Sequence, residues 1–334
     1  MNTKDEIVDA MNGEGDSHPP AIFTQSATVE QMEACGCFWP DAHYDVDKMV
    51  KLALQPSELY GFASARIPFN ITNDSEVFGC EVNRGSKEIQ PSISGFPYAG
   101  DCDFLDPPED LISVDEVMSS DLITMMIEGA EKVHAHEDLF VTSGLNGPIA
   151  ALDNIVGMEN VMMVLMMEPD RVHAWLDRIT PHLSSYAHAL SEVSDNVIFI
   201  EESDTEIFPP DFSETLLRDH ITKCISSVKD SFTTIHTCGN TFDIADILSD
   251  LGEDALSIEG SHNLREYRQA VGDSMTMVGC VRPVETLMMG SPKDVIREAR
   301  ESAEAGYDII APECGVPPIT SGANLRALSG YRSD

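Results

Sequence analysis

This chain is short of positive charge. Its 334 residues carry 20 Lys and Arg against 58 Asp and Glu, a formal net charge of −38 at pH 7. Nucleic-acid binding draws its affinity from Lys and Arg that displace counterions from phosphates, so that function class is excluded. Docking on anionic membranes is excluded for the same reason. Long apolar runs are also missing: none approaches the ~18 residues of a spanning helix. Cysteines are few and scattered (Cys35, Cys37, Cys80, Cys102, Cys224, Cys238, Cys280 and Cys314), which is no disulfide framework for a chain of this size. The opening Met1-Asn2-Thr3-Lys4-Asp5-Glu6-Ile7 is polar and shows no apolar signal segment. The expectation is a cytoplasmic protein with reduced thiols. Acidic residues are spread along the whole chain rather than gathered in a tail. They read as a solvated surface suited to a salty cytoplasm, where ions screen self-repulsion.

What is present is ample material for a core, with 42% hydrophobic residues. Short runs rich in Ile, Val and Phe recur at 20–24, 63–69, 139–143, 197–201, 232–236, 255–258, 276–280 and 308–311. Helical-length amphipathic stretches separate most of them, such as 170–193 and 292–305. The latter opens with Ser291 as N-cap and Pro292 at the first helical position. Strand–helix alternation argues for a parallel sheet, and eight such units in one chain argue for an α/β fold of the (β/α)8 TIM-barrel type. Residues 4–12 read as an N-terminal helical extension. Alternating segments at 76–82 and 89–93 read as a β-hairpin insertion after the second strand, on the face where barrel insertions sit above the catalytic mouth. No internal repeat or low-complexity linker interrupts 1–334, which reads as one domain.

Side chains two apart on a strand point the same way. His236 and Cys238 stand in that relation at the end of the fifth run, so an imidazole and a thiolate share one side of a strand end. Together they can grip a borderline-soft cation, and a third ligand from elsewhere, such as Cys314, would complete a catalytic-type zinc site with one position open. The alternative is a buried polar residue beside a small core thiol. The barrel favours the metal reading, because catalytic groups belong at strand C-terminal ends. His236 and Cys238 end the fifth strand, Glu259 the sixth, Arg282 follows the seventh and Cys314 the eighth.

Three stretches carry a resemblance to a known family: Thr234-Ile235-His236-Thr237-Cys238-Gly239-Asn240-Thr241, Leu256-Ser257-Ile258-Glu259, and Cys314-Gly315-Val316-Pro317-Pro318-Ile319-Thr320. With Phe38-Trp39-Pro40-Asp41-Ala42-His43, Arg66-Ile67-Pro68-Phe69 and Glu76-Val77-Phe78-Gly79-Cys80, they resemble the methylcobamide:coenzyme M methyltransferases of methanogens, within the uroporphyrinogen decarboxylase superfamily. The resemblance implies a TIM barrel with a catalytic zinc on His236, Cys238 and Cys314, and Glu259 as a fourth ligand that the thiol substrate displaces. It implies methyl transfer from a methylcobamide on a partner corrinoid protein to the thiol of coenzyme M, in methylotrophic methanogenesis. A hydrogen-bonding role for Glu259 is the simpler alternative. A metal-free tetrapyrrole decarboxylase of the same superfamily is the alternative activity, but it needs cationic groups for many substrate carboxylates. A corrinoid methyltransferase with another acceptor is the other.

The superfamily commonly carries Gly-Asn-Val-x-Pro after the seventh strand, where this chain has Gly279-Cys280-Val281-Arg282-Pro283. Arg282 could hold a sulfonate through its planar fork, or bond a loop carbonyl or a nearby carboxylate. Asp204 stands where the family carries an Asp near the active site, as a substrate-binding or a loop-capping residue. Cys280 reads as a buried thiol, and the pairs Met125-Met126, Met162-Met163, Met166-Met167 and Met288-Met289 read as core filler.

Overall fold

Six of the eight expected runs form regular strands of one parallel sheet, and the remaining two close it. The computed structural model describes residues 2–98, 106–260 and 263–333; Cys102 lies outside the described residues. In chain order the strands are β1 (Ser64–Ile67), β2 (Glu81–Asn83), β3 (Ser92–Gly95), β4 (Phe140–Asn146), β5 (Asn196–Glu201), β6 (Phe232–Thr237), β7 (Ala255–Ile258) and β8 (Thr276–Val278). The parallel sheet runs β1-β4-β5-β6-β7-β8. Beyond β8, Val278 pairs with Ile309, and Ile310 pairs with Pro20, both in parallel. The amide of Ile22 then donates to Ser64 Oγ at 2.9 Å, linking the first run back to β1. These two runs make bridges rather than ladders. Pro19 and Pro20 have no N–H to give, and neither does Pro312 beyond the last run. The result is a (β/α)8 barrel.

Alternation along each strand sorts the side chains. Val197 and Phe199 join the apolar cluster outside the wall under the helices, while Ile198 and Ile200 join the cluster inside it with Phe23, Phe140 and Ile309. The N-terminal helix Lys4–Met11, capped by Thr3 with Glu6 in a capping box, turns Ile7, Ala10 and Met11 into that inner cluster and plugs the bottom of the barrel. Helix Pro292–Glu304 starts as expected, with Ser291 and Asp294 forming a reciprocal cap.

Two expectations need correction. The hairpin is shifted: β2 and β3 pair antiparallel, but Glu76 and Val77 belong to the helical turn Asn73–Val77. The buried Asp74 carboxylate fixes that turn, accepting from the Asn146 amide at 2.9 Å and from its Nδ2 at 2.6 Å. This tertiary contact overrides the local alternation. Among the methionines, Met126 is fully buried, whereas Met166, Met167 and Met289 are exposed. No single described helix is long and apolar enough to cross a membrane.

Just before β7, Glu253 is buried, and desolvation pushes its carboxyl up from 4.5 to about 8. Because the folded chain holds this proton more tightly than the unfolded one, the associated stability is fully present below pH 4.5 and is lost as pH rises through about 8. Within that window the loss approaches about 1.4 kcal/mol per pH unit. Glu253→Gln, which cannot titrate, should therefore gain in melting temperature over the parent between pH 5 and pH 8.5. Parallel thermal melts across that range check it, and an unchanging gap would show that Glu253 does not titrate there.

Candidate metal centre at the barrel mouth

His236 is the penultimate residue of β6, and its neighbours in register are Ile200 on β5 and Ser257 on β7. All three face the interior. His236 is buried, and its Nδ1 lies 3.0 Å from Ser257 Oγ. Cys238 stands just past the strand end, its Sγ 3.3 Å from both His236 Nε2 and Cys314 Sγ. Cys314 sits in the loop after the eighth run, where Thr24 Oγ1 donates to its carbonyl at 2.8 Å and the Val316 amide donates to Gln25 at 2.8 Å. These links tie the Cys314 loop to the loop after the first run. The hairpin reaches the same place, since a Cβ on Gly315 would lie 3.6 Å from Gln90 Nε2.

The three donor atoms lie within 4.8 Å of one another. One imidazole nitrogen and two sulfurs at this spacing suit a single ion with bonds of about 2.0 and about 2.3 Å. The donor set fits zinc.

Glu259 and Asp204 organise the Cys238 loop. Glu259, one residue past β7, accepts from the Gly239 amide at 2.7 Å through Oε2. Gly239 has φ of +75°, and a Cβ there would fall 2.3 Å from Asp204 Oδ2, so only glycine fits the turn. Asp204 Oδ1 accepts from the amides of Glu206 at 2.9 Å and Asn240 at 3.3 Å, which is a loop-capping arrangement. Arg282 is half-exposed at the rim and donates through Nε to Glu298 at 2.6 Å. Of its expected roles, the structure shows the pairing with a nearby carboxylate. Cys280 is a buried thiol whose Sγ approaches the Ile258 carbonyl at 3.3 Å.

The electrostatics are those of crowded anions. Cys314 accepts the Cys238 hydrogen bond and lies beside His236, which together pull it down to about 4. Its donor Cys238 is pushed well above the ordinary thiol range by that bond and by burial. Burial raises Glu202 to about 7, with Asp153, Asp204 and Cys314 adding their charges. Glu313 rises to about 7, again chiefly by burial, although it accepts from the Gly260 amide at 2.9 Å. Glu201 rises to about 8; its carboxylate takes the amides of Ala150 and Glu202, both at 2.9 Å. Ser257 and Glu313 were not singled out from sequence. Ser257 has a signal in its position two before Glu259, on the same inward row, but only the β6–β7 register shows that it meets His236.

Comparison with known proteins places the chain in a family. A family model described as uroporphyrinogen decarboxylase (URO-D) matches residues 2–333. The chain is 30% identical to "Methylcobamide:CoM methyltransferase MtaA" of Methanosarcina barkeri, over 99% of this chain and 97% of the relative. It is 31% identical to "Methylcobamide:CoM methyltransferase MtbA" of Methanosarcina mazei, over 94% and 92%. A solved structure of a methyltransferase from Methanosarcina mazei superposes with a TM-score of 0.90 at 30% identity, covering 99% of this chain and 98% of the other. Matched along nearly its whole length at this identity, the chain belongs to the uroporphyrinogen decarboxylase family, on its methylcobamide:CoM methyltransferase branch.

Proposed function

We propose that this protein transfers a methyl group from a methylated corrinoid, carried by a partner protein, to the thiol of coenzyme M. The reading is carried by the convergence of His236, Cys238 and Cys314 within 4.8 Å at the barrel mouth, in a chain of this family. These three residues would hold a zinc ion; Glu259, whose Oε2 takes the Gly239 amide, stands outside that trio and would join the ion as a fourth ligand until the thiol arrives. Zinc held there supplies a Lewis acid that keeps a substrate thiol as the thiolate at neutral pH. Ser257 orients the imidazole: with Nδ1–H donated to Ser257 Oγ, His236 presents Nε2 as the donor atom. Thr24 fixes the Cys314 backbone, so the second sulfur is placed by the barrel wall rather than by a free loop. The thiolate attacks the methyl carbon of methyl-cobalt(III); the carbon–cobalt bond breaks as the carbon–sulfur bond forms, leaving the methyl thioether and cobalt(I).

A corrinoid on a protein needs an open rim. Large apolar side chains stay exposed in the segments after the strand ends, among them Ile89, Phe96, Ile207, Val284, Met289 and Ile319. Such residues favour a protein partner on this face. Tetrapyrrole decarboxylation fits poorly. The mouth carries Glu202, Asp204, Glu259 and Glu313, and the rim cation Arg282 is already paired.

Two measurements test the proposal. Purified protein should contain about one zinc per chain, and should demethylate methylcobalamin with coenzyme M. His236→Ala and Cys314→Ala should each lose the metal and the activity. A zinc-free, inactive protein that stays inactive after zinc is restored would overturn the proposal. Separately, Ser257→Ala should weaken zinc binding by about 10- to 100-fold in a chelator competition, because the imidazole loses its orienting partner. Unchanged affinity would mean that the Ser257 contact does not set the ligand.

A further inference from the structure

Arg66 is a fully buried cation without a counter-charge. It stands on β1 between Ala65 and Ile67, which both pack into the outer cluster, so Arg66 points into the barrel. It is 2% exposed. Its Nη1 donates to the Ile67 carbonyl at 3.2 Å, while Nε and Nη2 are buried with no partner. The guanidinium lies over Gly144, where a Cβ would fall 2.2 Å from Nη2. Burial lowers it to about 10, so it remains charged at neutral pH, and the neighbouring Tyr186 hydroxyl, which burial keeps protonated, offers it no opposite charge. Among the described residues no carboxylate pairs with it, in a chain with 58 of them. An uncompensated interior charge is costly, and an anion of matching shape would relieve it.

The register places this cation at the metal centre's depth. Hydrogen-bonded pairing runs from Arg66 through Thr142 and Asn196 to Phe232. In a barrel of this type level positions climb by about one residue per strand. The climb is visible where Phe140 packs on Phe232, and where Thr234 Oγ1 bonds Asn196 Oδ1. Three strands on from β1, the level of Arg66 is that of Ile235 and His236. The cation therefore faces the donor cluster across the barrel interior.

We infer that Arg66 anchors the anionic end of the thiol substrate: its unpaired Nε and Nη2 receive a short sulfonate inside the barrel while the thiol reaches the His236–Cys238–Cys314 cluster. The inference rests on the methyl-transfer reading above for the identity of the substrate. It assigns the sulfonate to Arg66 rather than to Arg282, whose Nε is engaged by Glu298 at the half-exposed rim. Planar guanidinium suits a tetrahedral oxyanion through paired N–H donors, and glycine at 144 makes the space for it.

The test compares the parent protein with Arg66→Gln and Arg66→Lys. Ethanesulfonate, which has no thiol, should bind the parent in calorimetry, and binding should be lost in Arg66→Gln and partly kept in Arg66→Lys. In methylcobalamin assays kcat/KM for coenzyme M should fall about 100-fold or more in Arg66→Gln, mainly through KM. The value for 2-mercaptoethanol, which carries no sulfonate, should not change. Without ligand, Arg66→Gln should melt at or above the parent temperature, since it removes an unpaired buried charge. Equal losses on both thiols, a sharp drop in melting temperature, or undiminished ethanesulfonate binding in Arg66→Gln would each overturn the anchor. A parent that binds ethanesulfonate through Arg66 yet transfers no methyl group would keep the anchor and overturn the proposed function.

Discussion

The in-register pairing of Ile200, His236 and Ser257 across β5, β6 and β7 is the constraint on which the mouth of this barrel depends. A slip of one residue would turn His236 outward into the helix layer and put Ile235 in its place. The register is secured from below by an interior polar layer. Asn196 bonds Thr142 Oγ1 on one side at 3.4 Å and Thr234 Oγ1 on the other at 2.9 Å, tying β4, β5 and β6 at matched heights. It is secured further down by Phe23 stacked on Phe140 with Phe232 tilted against it, closed by the N-terminal helix. Phenylalanines fill the lower barrel, and polar side chains such as Arg66, His236 and Ser257 join Ile200 in the upper part. The chain thus spends its packing at the bottom and keeps its chemistry at the top.

That division explains what was legible in the sequence. Eight apolar runs and a His-x-Cys step at a strand end survive as local patterns, because strand periodicity and strand-end position are local properties. The N-terminal helix and the Ser291–Pro292 helix start were legible for the same reason: caps are short-range. The irregularity of the first and last staves was not, since prolines at 19, 20 and 312 break ladders without breaking the apolar pattern. The hairpin slipped because Asp74 reaches Asn146, a contact between residues far apart in sequence.

The candidate site divides similarly. Cys314 could be joined to His236 and Cys238 only by supposing a barrel or by family resemblance, and the structure brings the three together. Glu259 and Asp204 are where strand ends put them, but their hydrogen bonds to the Cys238 loop require the φ of Gly239, which no pattern reports. Arg282 was conspicuous because it departs from a motif, whereas Arg66 was visible only as part of the Arg66-Ile67-Pro68-Phe69 stretch, with no role of its own. A lone arginine among Ala63, Ala65 and Ile67 is a signal only once alternation is read as inside against outside.

The charges of the mouth form a coupled system. Cys238 holds its proton because Cys314 beside it is the thiolate, and burial and the repulsion of neighbouring acids raise Glu202 and Glu313 to about 7. A divalent cation held by the two sulfurs and the imidazole would reverse this balance. It would ionise the second thiol and relieve the repulsion that raises the carboxyls, so metal binding would expel protons and strengthen as pH rises. An anionic thiol approaching this mouth meets the repulsion of a protein with net charge −38. That repulsion is long-ranged and mediated by solvent, so salt suppresses it within a Debye length of about 8 Å at physiological ionic strength and less in brine. The attraction of the buried Arg66 is short-ranged and shielded from those ions. An acidic surface and an interior cation are therefore compatible, because the same salt that quiets the first leaves the second intact.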